Sequence, residues 1–229
     1  MSGAWAIVVA AGEGRRFGGP KAFSPLAGAP MIAYSLRAVG EAKGIEGIAL
    51  VVHPGAPFET ARAHAPAAIP LEIVAGADTR QASVRAGLDR VPSGVERVVV
   101  HDAARPLAGP ELFERALDAL EHAAGAVVAI PAADTLKRVS DDRVIETVER
   151  EGLWRAQTPQ AFDAAVLRKA HELATEGSQG ATDDAVLVER MGAHVAIVPG
   201  DERNIKITTP EDLAVAEAIL AARRTEGAR

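Results

Sequence analysis

The segment that decides the fold starts with an apolar run, Trp5-Ala-Ile-Val-Val-Ala-Ala11, and continues into a glycine-rich stretch, Gly12-Glu-Gly-Arg-Arg-Phe-Gly-Gly-Pro-Lys21. The run lacks the polar alternation of a half-buried strand, which predicts a strand buried on both faces. In the stretch that follows, glycines allow backbone N–H groups to approach an anion, and Arg15, Arg16 and Lys21 add positive charge. We therefore expect a buried strand that leads into a phosphate-binding loop.

Further apolar runs rich in Val and Ile predict more buried strands, at residues 47–52, 71–75, 97–101, 125–130 and 193–198. Between the runs, apolar residues recur at helical spacing, as in Val84, Leu88 and Val91. Alternating strands and helices are typical of a Rossmann-like α/β fold, a mostly parallel sheet with helices on both faces. Ligands of such folds bind beyond the carboxyl ends of the strands, so function is expected in the loops that follow them.

One segment, residues 134–157, breaks this rhythm because apolar and polar residues alternate around the pair Asp141-Asp142. The pattern predicts a β-hairpin arm that protrudes from the main sheet. Such a hairpin has no core of its own, and a second subunit is one candidate surface for it to pack on.

Composition narrows the class of protein. The 229 residues are 48% hydrophobic and 24% charged, as expected for one globular α/β domain. The absence of cysteine excludes disulfides, thiolate catalysis and cysteine-ligated zinc. The formal net charge of −6 argues against a nucleic-acid-binding surface. The sequence shows neither a signal peptide nor an apolar run of membrane-spanning length, so we expect a cytoplasmic protein without a membrane partner.

Two common phosphate-binding motifs do not match the glycine-rich stretch. A P-loop requires Ser or Thr after Gly-Lys, whereas here Gly19 is followed by Pro-Lys-Ala. The dinucleotide fingerprint requires the spacing G-x-G-x-x-G, and Gly12, Gly14 and Gly18 are one residue too widely spaced. Taken alone, the stretch also fits a flexible, solvated turn.

In its full form, Ala10-Ala-Gly-Glu-Gly-Arg-Arg-Phe-Gly-Gly-Pro-Lys21, the stretch resembles the triphosphate-wrapping loop of sugar-phosphate nucleotidyltransferases. Further motifs follow in order: Val100-His-Asp-Ala-Ala-Arg-Pro106, Asp134-Thr-Leu-Lys137, Leu153-Trp-Arg-Ala-Gln-Thr-Pro-Gln160, Ala181-Thr-Asp-Asp184 and Asn204-Ile-Lys-Ile-Thr-Thr-Pro-Glu-Asp212. Together they resemble the 2-C-methyl-D-erythritol 4-phosphate cytidylyltransferase family over residues 5–220. Motifs that match in register over this length are far more specific than any one of them.

The resemblance implies a single nucleotide-diphospho-sugar-transferase-type domain over residues 1–229. It also implies transfer of CMP from CTP to methylerythritol phosphate, with release of pyrophosphate, in non-mevalonate isoprenoid biosynthesis. Ribitol-5-phosphate cytidylyltransferase is the alternative, because it shares the loop and the reaction, although Ala103-Ala104 after Asp102 resembles the methylerythritol branch. From other classes, a nucleotide-binding regulator or an oxidoreductase could share the scaffold.

The resemblance also assigns the nucleotide site and the catalytic charges. It implies that CTP is held by Ala10, Ala11, Gly12, Gly14, Ala77, Asp78 and Ser83. Ala77 stands where the family commonly has Gly, and Ser83 alone would equally fit the first turn of a helix. Arg16, Lys21 and Lys206 match basic residues that stabilise charge as the acceptor phosphate attacks the α-phosphorus in line. An ionised phosphate needs neither a general base nor a covalent intermediate.

The acceptor is assigned in the same way. The matching positions are Asp102, Arg105, Thr135, Arg150, Thr158 and Thr182. Asp102 could instead cap a turn, and Arg105 and Lys137 could form surface ion pairs.

The resemblance further implies a divalent metal and a partner subunit. Mg²⁺ would be held mainly by the CTP phosphates, near Asp102. His53 and His101 have no second ligand at metal spacing and are predicted to be structural. In the family the hairpin arm comes from the partner subunit, which implies a homodimer with shared sites.

Overall fold

The computed structural model describes residues 3–12, 14, 17, 19–174 and 181–227. The strands are β1 (Ala4–Ala10), β2 (Pro25–Leu26), β3 (Ala29–Pro30), β4 (Ile45–Val52), β5 (Leu71–Ala75), β6 (Arg97–Asp102), β7 (Gly125–Pro131), β8 (Leu136–Ser140), β9 (Arg143–Val148), β10 (Trp154–Asp163) and β11 (Val195–Pro199). The helices are α1 (Met31–Glu41), α2 (Phe58–Ala63), α3 (Arg80–Leu88), α4 (Pro110–Asp118), α5 (Ala164–Leu173), α6 (Ala185–Arg190) and α7 (Pro210–Gly227). Within the described ranges, no helix is long and apolar enough to cross a membrane.

A seven-stranded sheet forms the centre of the protein, in the order β11-β7-β10-β6-β1-β4-β5. Strands β5, β4, β1 and β6 run parallel to one another, and β11 runs parallel to β7. Strand β10 lies antiparallel between β6 and β7. The prediction of a mostly parallel α/β sheet is therefore confirmed.

Helices cover both faces of the sheet, because successive side chains of a buried strand point to opposite sides. In β1, Ala6 and Val8 join a core cluster with residues of α1 and α4, whereas Trp5 and Ile7 join a second cluster with residues of α3, α5 and α6. This double burial explains why the strand sequences are apolar throughout instead of alternating.

Each of the six predicted apolar runs forms a strand, within about two residues of the expected bounds. The sequence pattern does not reveal β10, because its middle carries the polar residues Gln157, Thr158 and Gln160. All three are buried and hydrogen-bonded within the protein. Residues 154–157, which the pattern assigns to the hairpin, belong to β10 instead, and Trp154, Arg155 and Ala156 pair with β7.

The hairpin itself consists of β8 and β9, joined at Asp141 and Asp142, and forms a separate two-stranded sheet. Both turn residues have positive φ, 47° and 61°. Non-Gly residues tolerate this backbone poorly, Asp and Asn best, which explains the composition of the turn. Apolar side chains on the hairpin remain exposed, for example Val144 at 61% and Ile145 at 60%.

Candidate active site

A cleft of about 640 Å³ opens at the carboxyl ends of β1, β4, β5 and β6. This is the edge at which α/β sheets bind ligands. Residues predicted from the sequence line it together: Ala10, Ala11, Gly12, Gly14, Lys21, Ala77, Asp78, Ser83, Asp102 and Lys206. The fold therefore brings segments from residues 10 to 206 into one site.

The glycine-rich loop forms one wall of the cleft. Gly14 has a φ of +62°, and a Cβ there would lie 1.9 Å from the carbonyl oxygen of Gly19. The carbonyl oxygen of Gly14 accepts a hydrogen bond of 2.6 Å from the Phe17 N–H. Only glycine fits this turn. Arg16, predicted to be catalytic, lies outside the described residues, as does Arg15.

The turn after β5 forms the opposite wall. The Ser83 hydroxyl, buried at the start of α3, accepts a 3.0 Å hydrogen bond from the Ala77 N–H and lies 3.2 Å from the Ala77 carbonyl oxygen. Thr79 caps α3 by accepting from the Ala82 N–H. Ser83 therefore does not cap the helix; it holds the Ala77 turn in place. A Cβ on Gly76 would lie 2.2 Å from the Ala11 Cβ, so the two walls touch at this point.

A cluster of charges lies at the base of the cleft, around Asp102. One carboxylate oxygen accepts from Arg80 Nε at 3.2 Å, and the other accepts from Lys206 Nζ at 2.7 Å. Burial alone would raise the pKa of the Asp102 carboxyl, but the positive charges of Arg80 and Lys206 outweigh it and hold that pKa well below its usual range. Asp102 is therefore an anion that keeps Lys206 in the cleft.

Lys21 approaches the same region from the first loop, where its Nζ donates to the carbonyl oxygen of Ile207 at 2.7 Å. The loop that carries Lys206 and Ile207 is itself fixed by α7. The Asp212 carboxylate accepts from the Thr208 and Thr209 N–H groups at 2.7 and 2.9 Å. Lys21 thus contacts the short loop that carries Lys206, although the two lysines are distant in sequence.

Arg80 lines the cleft and pairs with the buried Asp184, and neither residue was assigned from the sequence. Arg80 Nη1 donates to Asp184 at 2.7 Å, and Asp184 also contacts His171 Nε2 at 3.1 Å. Arg80 lies between the predicted residues Asp78 and Ser83, and Asp184 ends the motif that begins at Ala181. The sequence therefore shows both residues close to assigned positions, but it does not show that Arg80 and Asp184 form an ion pair.

Below the cleft, Thr158 is buried and faces inward. Its hydroxyl accepts a 3.0 Å hydrogen bond from the Asp102 N–H and lies 3.1 Å from His101 Nδ1. Burial lowers the pKa of His101 to about 4, so its imidazole is neutral near pH 7, and it packs against Phe113. His101 is thus structural, and Thr158 supports Asp102 from behind.

Other predicted acceptor residues do not line the cleft of this chain. Arg105 donates to the carbonyl oxygens of Asn204 and Ala156, at 2.8 and 3.2 Å. Thr182 is exposed just before α6. Thr135 and Arg150 flank the hairpin and are also exposed, and Arg150 Nη1 donates to the Ala133 carbonyl oxygen. Lys137 lies on the hairpin as well, where it donates to Thr147.

Comparison with known proteins identifies the family. The family model described as 2-C-methyl-D-erythritol 4-phosphate cytidylyltransferase matches residues 4–222. The chain belongs to this family. A cytidylyltransferase of that name from Cereibacter sphaeroides is 47% identical over 222 residues, which cover 94% of this chain and 96% of the relative. One from Synechocystis sp. is 40% identical over 227 residues, which cover 97% and 99% of the two chains.

Solved structures of cytidylyltransferases agree with this assignment. The 4-diphosphocytidyl-2C-methyl-D-erythritol synthase of Anaerococcus prevotii superposes with a TM-score of 0.84 at 32% identity, covering 96% of this chain and 99% of its own. The 2-C-methyl-D-erythritol 4-phosphate cytidylyltransferase of Thermus thermophilus gives 0.78 at 34% identity, covering 96% and 98%. The α/β fold, the nucleotidyltransferase class and the predicted family are therefore confirmed.

Proposed function

We propose that this protein transfers CMP from CTP to 2-C-methyl-D-erythritol 4-phosphate, giving 4-diphosphocytidyl-2-C-methyl-D-erythritol and pyrophosphate. The observation that carries the proposal is the convergence of Lys21 and Lys206 beside a glycine-rich loop, in a chain of this family. Relatives with this name match nearly the full chain, which supports methylerythritol phosphate over ribitol phosphate as the acceptor.

The nucleotide half of the reaction uses the two walls of the cleft. The turn at Ala77 lines the cleft and is held by Ser83, and it is proposed to bind the cytosine. The first loop lines the cleft with Gly12 and Gly14, and Lys21 adds a full charge against the triphosphate. Arg16 is proposed to act on the same phosphates.

The chemical step is an in-line attack by an oxygen of the acceptor phosphate on the α-phosphorus of CTP. The new P–O bond forms as the bond to the β-phosphate breaks, and the electron pair leaves with pyrophosphate. Negative charge builds up at the α-phosphorus and the leaving group, where Lys21, Lys206 and Arg16 would stabilise it. Asp102 holds Lys206 within reach of this charge.

We propose Mg²⁺ as the metal, held by the phosphate oxygens of CTP. In the described part of the chain, no three acidic or histidine side chains form a metal site. The carboxylates that line the cleft there are Asp78 and Asp102, and Asp102 already contacts two cations. This donor set fits a metal that takes its ligands from substrate and water. When bound, the metal would neutralise triphosphate charge.

We also propose a homodimer in which each hairpin arm completes the partner's site. A lone two-stranded hairpin is marginal in water, and this one exposes Val139, Val144 and Ile145. Covering these side chains with a second copy would bury them. The exposed positions of Thr135 and Arg150, outside their own cleft, support binding of the acceptor across the interface.

The activity is tested by pyrophosphate release from CTP with either methylerythritol phosphate or ribitol phosphate, with Mg²⁺ or with EDTA. Lys21→Ala should lower kcat by about 10²- to 10³-fold. Lys43→Ala, which removes an exposed lysine far from the cleft, should not. Faster release of pyrophosphate with ribitol phosphate would identify ribitol phosphate as the acceptor instead. No release with either acceptor would refute the proposal.

The shared site is tested by mixing two inactive variants, Lys21→Ala and Arg150→Ala, through co-expression. In a mixed dimer, one site combines an intact cleft with an intact arm, so about a quarter of wild-type activity should return. If each site were built from one chain, the mixture would stay as inactive as its parts.

A further inference from the structure

Arg80 joins two carboxylates that belong to different segments of the chain. Its Nε donates to Asp102, the last residue of β6, and its Nη1 donates to Asp184, which precedes α6. The Arg80 side chain is 24% exposed, whereas the Asp184 side chain is 1% exposed. Burial alone would lower the pKa of Arg80, but the charges of Asp184 and Asp102 raise it above its usual value, so the guanidinium stays charged.

The contact with Asp184 fixes the direction of the guanidinium. Asp184 is held on its other oxygen by His171 of α5, and its backbone carbonyl accepts from the Leu187 N–H at the start of α6. A buried carboxylate whose two oxygens both have hydrogen-bond partners is held rigidly. Arg80 is therefore held in one orientation by the protein.

The contact between Arg80 and Asp102 also fixes the orientation of Asp102 and, through it, the position of Lys206. Because Arg80 and Lys206 bind different oxygens of one carboxylate, rotation of Asp102 would break both contacts. The carboxylate plane is thus set by Arg80, and the position of the Lys206 ammonium is set by the carboxylate. The resulting chain of contacts is His171–Asp184–Arg80–Asp102–Lys206.

We infer that Arg80 is a positioning residue for the acceptor half of the reaction. It orients Asp102 and Lys206 against a buried anchor. The inference rests on the proposed function, in which Lys206 stabilises the transition state, and it adds a contact between Lys206 and the acceptor phosphate. The inference predicts that loss of Arg80 lowers kcat and weakens binding of the acceptor. It predicts this although Arg80 lies on the helix that follows the Ala77 turn.

The test compares Arg80→Met, Arg80→Lys and the control Arg85→Met in steady-state assays with CTP and methylerythritol phosphate. Arg85 is an exposed arginine on the same helix. Arg80→Met should lower kcat by about 10²-fold and raise the KM for the acceptor, while the KM for CTP changes by less than about twofold. Arg80→Lys should recover part of kcat, because an ammonium can contact Asp102 without the second contact to Asp184.

Two results would overturn the inference. A rise in the KM for CTP that accounts for the whole loss of kcat/KM would make Arg80 a direct nucleotide ligand. Equal kinetics for Arg80→Met and Arg85→Met would show that the contacts of Arg80 with Asp102 and Asp184 do not contribute to catalysis. Should Arg80→Met fail to fold, Arg80→Lys decides alone: kcat reduced at constant KM for CTP supports the inference, and a wild-type kcat refutes it.

The wild-type protein separates this inference from the proposed function. If the wild type turns over methylerythritol phosphate but Arg80→Met does so equally well, only the role of Arg80 is wrong. If the wild type itself shows no turnover, the proposed function is wrong, independently of the variants.

Discussion

Gly14→Ala is expected to damage the nucleotide loop without unfolding the protein. The new Cβ would lie 1.9 Å from the Gly19 carbonyl oxygen, whereas real Cβ atoms essentially never come closer than 3.0 Å. The loop must therefore open by about 1 Å, and the φ of +62° costs an L-residue a further 1–2 kcal/mol or so. A shift of about 1 Å in a positioning group can cost about 10²-fold in rate.

The assay is kcat/KM for CTP, measured by pyrophosphate release beside the thermal unfolding midpoint. We expect kcat/KM to fall by about 10²-fold and Tm by only a few degrees, because Gly14 is not part of the sheet core. Gly19→Ala is the control, since a Cβ there meets nothing within 4 Å. Equal activity of Gly14→Ala and Gly19→Ala would refute the argument that backbone geometry at Gly14 shapes the site.

Two further predictions concern stability and assembly. The pKa of His101 is about 4 in the folded protein and 6.5 ordinarily, so between these values the unfolded chain binds the extra proton and stability falls as pH falls. The His101 imidazole should lower the free energy of unfolding by up to about 3 kcal/mol across that pH range. When wild type and His101→Gln are compared by urea unfolding at pH 7 and 4.5, the variant should lack this part of the pH dependence. An equal change in the free energy of unfolding for both proteins would contradict a neutral buried imidazole. The double variant Val144→Lys/Ile145→Lys should have half the molar mass of the wild type in light scattering. The control Val215→Lys, at a comparably exposed valine on α7, should keep the wild-type molar mass. A wild-type protein with the molar mass of a monomer would exclude the dimer.

Local patterns were sufficient for most of the fold and for the location of the site. Strands β1, β4, β6 and β7 are apolar because both of their faces are buried in core clusters, so their composition alone reveals that they are buried. The glycine-rich loop follows the first of them, and the sheet edge there is where such folds bind ligands. The motifs of the family then assigned nucleotide-binding residues that the structure gathers around one cleft, whereas most of the assigned acceptor residues lie outside it.

Strand β10 and Thr158 show where local patterns were insufficient. A polar stretch in mid-chain does not look like a central strand, and only the neighbouring segments reveal that the side-chain amide N–H groups of Gln157 and Gln160 find acceptors there. For the same reason, Thr158 could be matched to an acceptor-binding position without any sign that its hydroxyl faces Asp102 and His101.

The sequence by itself determined the α/β class and the strand–loop junction at residues 5–21, because these depend on composition and short spacing. It assigned the basic residues of the site only through its resemblance to a family. Tertiary structure alone decided which charges meet. Arg80 and Asp184 are 104 residues apart, as are Asp102 and Lys206, and both pairs form only because the strand order brings β6, α3, α6 and the loop before α7 to one edge of the sheet. Ion pairing depends on distance in space, and distance in space is set by packing across the whole chain.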